Sequence, residues 1–212
     1  MTTEKMNVHK ALCEMKTLDN RILSKIRGFE PCTANRKSNK KINGISIEDF
    51  KKNVAEEYQS ITDLINRRYA IKKAITNSNA ITKVIIGSEE FTVAEAIEMK
   101  NSGMSLLETL YDRISMKYSV AQSKCNNENE ELAEKAANHV ANTYNGGEKN
   151  IKDADTARRE QDFIENNTFS IVQGIRCDEE IKKLEEKIST FNVEVDSALS
   201  VSNAITEITI EY

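Results

Sequence analysis

Apolar residues recur along most of this chain in steps of three and four, the spacing that keeps side chains on one face of an α-helix. Val8, Ala11, Leu12, Met15, Leu18, Ile22 and Ile26 predict an amphipathic helix over 5–27, ended by Gly28. Phe50, Val54, Ile61, Leu64, Ile71 and Ile75 predict a second over 47–77, with Ser46 and Asp49 spaced as an N-terminal cap. A third, over 105–144, starts with Leu107, Leu110, Ile114, Tyr118 and Ala121 and continues through Leu132, Ala136 and Val140. Its weak point is Asn126-Asn127, and Gly146-Gly147 ends it. The cleanest stripe is Ile181, Leu184, Ile188, Phe191 and Val195, a heptad seam on a helix over 178–201 that needs a partner helix within the chain or in another subunit.

Between these helices the period changes. Residues 82–86, 168–172 and 206–210 are short β-branched or aromatic runs of strand type, and 87–90 reads as a turn after which Phe91 extends a hairpin. Thr92 and Glu95 form a capping box for a short helix interrupted near Gly103. Two of the strands close a repeat: Ser78-Asn79-Ala80-Ile81-Thr82 returns as Ser202-Asn203-Ala204-Ile205-Thr206, each time after a helical segment. The same offset places Leu64 on Ile188, Ile71 on Val195, Ala74 on Ala198 and Ile75 on Leu199, so the apolar phase of the preceding helices recurs too.

The expected fold is therefore mainly α: long antiparallel helices with a small sheet built from the strands near 82–86, 168–172 and 206–210. Strands 82–86 and 206–210 are expected side by side, with Lys83 close to Glu207. One domain spans 1–212, residues 29–45 form a loop or arm, and 146–176 is an insertion-like segment containing a loosely held helix. At 212 residues such a domain would bury roughly 70% of its unfolded surface.

Composition adds constraints rather than chemistry. The formal charge is −4 and aromatic content is 6%, which leaves no global positive field to gather a phosphate backbone. Arg36, Lys37, Lys40 and Lys41 form a basic contact loop without interleaved aromatic platforms, so protein partners are favoured over nucleic acid. The N-terminus lacks the apolar core of a signal peptide, and no run of residues reaches the length of a membrane span. Cys13, Cys32, Cys125 and Cys177 lack metal-ligand spacing and read as free thiols. His9 and His139 stand outside any motif, and Glu128, Glu130, Glu131 and Glu134 lack the Glu-x-x-His partner of a di-metal bundle and read as a solvated face. Neither a phosphate-binding glycine frame nor a nucleophile elbow occurs. No catalytic residue, cofactor or metal is therefore expected.

The segments 77–82, Thr92-Val93-Ala94-Glu95-Ala96-Ile97 and 179–208 resemble the septicolysin-like small helical proteins, which share the order long helix, Asn-rich turn, short strand, capped helix and final heptad helix. Similar helix-strand proteins are encoded by phages and prophages of low-GC bacteria, whose Asn, Lys and Ile usage this chain matches. The resemblance implies a non-enzymatic structural or assembly protein, a bacteriophage virion component such as a capsid, neck or tail accessory, found in the virion or the host bacterial cytoplasm. It would pack against itself or other virion proteins. The alternative is a cytosolic helical adaptor that binds one partner through the heptad helix.

Overall fold

A computed structural model describes residues 3–144 and 153–211. In chain order the elements are β1 (Thr3–Asn7), α1 (Val8–Gly28), β2 (Lys41–Ile42), β3 (Ile45–Ser46), α2 (Ile47–Ile81), β4 (Lys83–Ile86), β5 (Glu89–Thr92) and α3 (Val93–Glu98). A π-helical turn, Met99–Gly103, leads into α4 (Met104–Glu130), followed by α5 (Leu132–Tyr144), α6 (Asp153–Asn167), α7 (Cys177–Ile205) and β6 (Glu207–Glu211). The fold is mainly α, with small antiparallel sheets of two strands each. The chain divides into two compact units: Met1–Ser102 with Thr190–Tyr212, and Gly103–Ser189.

The helix ends follow local chemistry. Asn7 begins α1 by accepting a 2.8 Å hydrogen bond from the Lys10 amide, so residues 3–7, expected in part as helix, are free to be a strand. The Ser46 hydroxyl accepts from the Asp49 amide at 3.0 Å, as its spacing implied. At Thr92 the capping box is complete: the Glu95 amide donates to Oγ1 at 3.2 Å, and the Thr92 amide donates to the Glu95 carboxylate at 2.7 Å.

The three expected strands do not share a sheet. β4 pairs with β5 through a two-residue turn in which Gly87 has φ +61°, a conformation that suits glycine. β6 pairs with β1, placing Glu207 opposite Asn7 and Ile210 opposite Glu4. A strand forms its ladder with whichever neighbour can reach it, and for β4 that neighbour is the strand that begins three residues on, Glu89–Thr92. Lys83 accordingly meets Glu90, at 2.7 Å, instead of Glu207. Residues 168–172 are not a strand either, because both backbone groups of Phe169 are taken by one side chain. Asn129 Nδ2 donates to its carbonyl and the Phe169 amide donates to Asn129 Oδ1, each at 2.9 Å.

The repeat is nonetheless real, and larger than its five identical residues. β1-α1-α2-β4 and β5-α3/α4-α7-β6 share one order, strand, helix, helix, strand, and their strands pair crosswise. Thr82 and Thr206 play one role: the Thr82 carbonyl accepts from the Val93 amide at 2.8 Å and that of Thr206 from the Val8 amide at 3.0 Å. Each donor is the first residue of a helix capped by the residue before it, Thr92 or Asn7. Buried positions correspond as well: Val8 with Val93, Ala11 with Ala96, Ile71 with Val195, and Ile208 and Ile210 with Val84 and Ile86. Leu18 stands ten residues after Val8, whereas the buried Met104 stands eleven after Val93. The π-helical turn between them absorbs that extra residue.

The first unit holds a contiguous core of Met6, Val8, Ala11, Leu18, Ile22, Ile71, Ile75, Ile208 and Ile210. Arg67 spans its edge, reaching Glu4 on β1 at 2.9 Å and Glu14 on α1 at 2.5 Å, and Arg68 pairs with Asp19. In the second unit Leu132, Ala136 and Val140 are buried along α5, where His139 stacks on Phe163 of α6 at 4.7 Å. The expected third helix breaks at Glu131, not at Asn126-Asn127. The glycine pair expected to end it lies outside the described residues.

Candidate interaction surfaces

The basic loop is a folded feature built around Asn35. Its Oδ1 accepts from the Arg36 amide at 3.0 Å and from Asn39 Nδ2 at 3.1 Å, while its Nδ2 donates to the Lys41 carbonyl at 3.1 Å. The loop then enters the β2-β3 hairpin through Asn43 and Gly44, with φ +46° and +88°, the two left-handed positions of a type I′ turn. Sequence reasoning missed this hairpin, although Asn-Gly between Ile42 and Ile45 is its recognised signal. Arg36, Lys37, Lys40 and Lys41 are all exposed, and none forms an ion pair among the described residues.

Near this loop is a groove of about 400 Å³ lined by Phe29, Pro31, Phe50, Lys51, Val54 and Tyr58. The rings of Phe29 and Tyr58 lie 6.2 Å apart, and Tyr58 is 61% exposed. The groove forms because α2 runs on toward its N-terminus past the end of α1, and residues 29–31 only partly cover it.

The heptad stripe of α7 is divided between the two units. Phe191 and Val195 are buried in the first, where Phe191 meets Phe91 edge-on at 5.8 Å. Ile181, Leu184 and Ile188 are only half-buried in the second. Glu185, Glu186 and Asn192 face solvent as the stripe requires. Ile188 is less buried than a core position would be, since it lines a groove of about 370 Å³ with Tyr111, Glu108, Asp112, Glu185 and Ser189. That groove and the Asn129–Phe169 bonds fix α4 and residues 168–189 as antiparallel neighbours. Lys183 is held protonated above its ordinary range by its hydrogen bond to Glu180 and the attraction of that carboxylate.

Apart from one His-Cys contact on α1, the cysteines and histidines among the described residues do not gather. His9 lies 3.8 Å from Cys13 Sγ, and Cys32, Cys125 and Cys177 are separate free thiols. Among the described residues no three His, Cys, Asp or Glu side chains gather as a metal site would require, and no helix is long and apolar enough to cross a membrane. No protein-family model, curated protein or solved structure matches the chain.

Proposed function

We propose that this chain is a non-enzymatic assembly protein that works by packing its helices against copies of itself or other structural proteins. The observation that supports the reading is a set of large apolar side chains left exposed on helices whose other faces are packed. Much of the exposed apolar area lies on helices, including Leu106, Leu110, Met116 and Val120 on α4 and Val193, Val201 and Ile205 on α7.

The resemblance to phage-encoded helix-strand proteins extends this reading to a virion accessory, and mass spectrometry of purified particles tests that extension. The assembly reading itself is tested by sedimentation velocity from micromolar to submillimolar concentration. A mass-average that climbs with concentration is expected, and a monomer throughout would overturn self-assembly. The adaptor reading places its partner on the heptad helix, where Ile181, Leu184 and Ile188 are only half-buried; a one-to-one complex with one partner protein, formed by a monomeric chain and weakened by Ile188→Ala, would favour it.

A further inference from the structure

We propose that the second unit stacks on a second copy of itself: a cation-bearing apolar stripe on α4 of one molecule seats in the carboxylate-rimmed groove between α4 and α7 of the next. This inference rests on the assembly reading and names its surface.

Leu106, Leu110, Arg113, Lys117, Val120 and Lys124 follow one another in steps of four and three, so they form a single line along α4. Leu106 is 72% exposed, Leu110 48% and Val120 59%, and the three cations among them are exposed as well. Arg113 and Lys117 form no ion pair among the described residues. A helix gains little by displaying leucine and valine to water, and cations between them keep such a stripe soluble until an acidic counterpart covers it.

The same unit carries that counterpart. The 370 Å³ groove has Tyr111 and Ile188 as its apolar floor and Glu108, Asp112 and Glu185 at its rim. Apolar knobs flanked by cations on one surface thus match an apolar hollow flanked by carboxylates on the other, in polarity and in sign. Around α4, the stripe lies about 100° to one side of the row Leu107, Tyr111, Ile114 and Tyr118, and Glu108 and Asp112 lie about as far to the other side. The two surfaces therefore occupy opposite faces of the helix pair. One molecule cannot satisfy both through a single two-fold contact, so the stacking is head-to-tail and repeats from copy to copy. A second copy is the occupant favoured here because one chain supplies both complementary faces.

Charge reversal tests this with the full chain. Arg113→Glu with Lys117→Glu makes both faces acidic; Asp112→Lys with Glu185→Lys makes both basic. Sedimentation velocity at low salt should show wild-type assembly that weakens as salt screens the contact. Each double variant alone should need at least about a tenfold higher concentration to assemble, and mixing the two variants should restore assembly. Circular dichroism and melting confirm folding; if either reversal unfolds the chain, the neutral pairs Arg113→Gln with Lys117→Gln and Asp112→Asn with Glu185→Gln carry the salt and concentration test instead.

Three results overturn the proposal and are distinguishable. A wild type that is monomeric throughout removes self-assembly and this surface together. A wild type that assembles, with both substituted proteins assembling equally well, leaves the assembly reading intact and excludes this surface. Weakened variants whose mixture stays dissociated exclude the pairing of these two faces.

Discussion

The α1-α2 and α4-α7 helix pairs follow the same repeated plan, yet the stretch of α4-α7 that lies in the second unit is covered less than the core of the first. Along α1 and α2 the facing residues Leu18, Ile22, Ile71 and Ile75 are 0–7% exposed, and Ile208 and Ile210 of β6 close the same core. Along the facing rows of α4 and α7 in the second unit, Leu107, Tyr111, Ile114, Tyr118, Ile181, Leu184 and Ile188 are all half-buried. Two helices alone bury only the strip where they touch; a third layer is needed to close their seam. In the first unit β6 supplies that layer to α1 and α2, and the buried Val84 and Ile86 of β4 belong to the same unit as Phe191 and Val195 of α7, so the open stretch is the part of α4 and α7 in the second unit. On the assembly reading proposed above, that open stretch is where a second copy would contribute most.

Truncation should expose this contrast most sharply. Ile71→Ala, at a fully buried position, should cost about 4 kcal/mol, while Ile114→Ala should cost about 1 kcal/mol in the unassembled chain. Urea denaturation followed by circular dichroism measures both. Equal losses would break the comparison. If Ile114→Ala becomes costly only at concentrations where the chain assembles, the comparison sharpens, because the missing layer is then another molecule.

Next in size is the contrast within α7 itself. Phe191→Ala should cost about 3 kcal/mol, since the ring is 3% exposed against Phe91, and Ile188→Ala about 1 kcal/mol, since it lines an open groove. One heptad pattern thus carries two burial states. The sequence pattern specifies which face of a helix is apolar; it does not specify how many neighbours arrive to cover that face.

The same limit explains what was legible and what was not. Helices, caps at Ser46 and Thr92, the Gly87 turn and the repeated helix-to-strand junction are local, encoded by residues a few positions apart, and each is present. Strand partnership depends on distant residues: nothing in Ile208-Thr209-Ile210 names Thr3–Asn7 as its neighbour. At Phe169 a strand-like run lost its ladder to the side chain of Asn129, forty residues away. The basic loop was legible as charge, but its ordering by Asn35 depends on side-chain geometry that residue spacing does not reveal.

The two tight turns offer a smaller comparison. Gly87→Ala meets both a left-handed backbone and a clash, because its Cβ would lie 2.9 Å from Thr190 Cγ2; a loss of about 2 kcal/mol is expected. Gly44, at φ +88°, has open space around it, so Gly44→Ala should show the backbone cost alone, about 1 kcal/mol. Thermal melting of the two variants reads the difference, and a larger effect at Gly44 would contradict it.

The smallest effect expected separates the two helix starts of the repeat. Asn7 and Thr92 occupy equivalent cap positions, but only Thr92 has a carboxylate returning to its backbone amide. Thr92→Ala should therefore destabilise by about 1 kcal/mol. Its cost should also depend on pH. The Thr92 amide, and then the Thr92 hydroxyl, hold the Glu95 carboxyl below the usual carboxylate range. A group depressed in the folded state stabilises fully above its unfolded pKa, and that contribution disappears as pH falls through the folded value. The stability difference between wild type and Glu95→Gln should accordingly be present at neutral pH and vanish in the acid range. Asn7 has no titrating partner of this kind, so the cost of Asn7→Ala should stay level over the same range in urea titrations at stepped pH. A pH-independent difference at Glu95 would mean that its carboxylate is not held by the cap in solution.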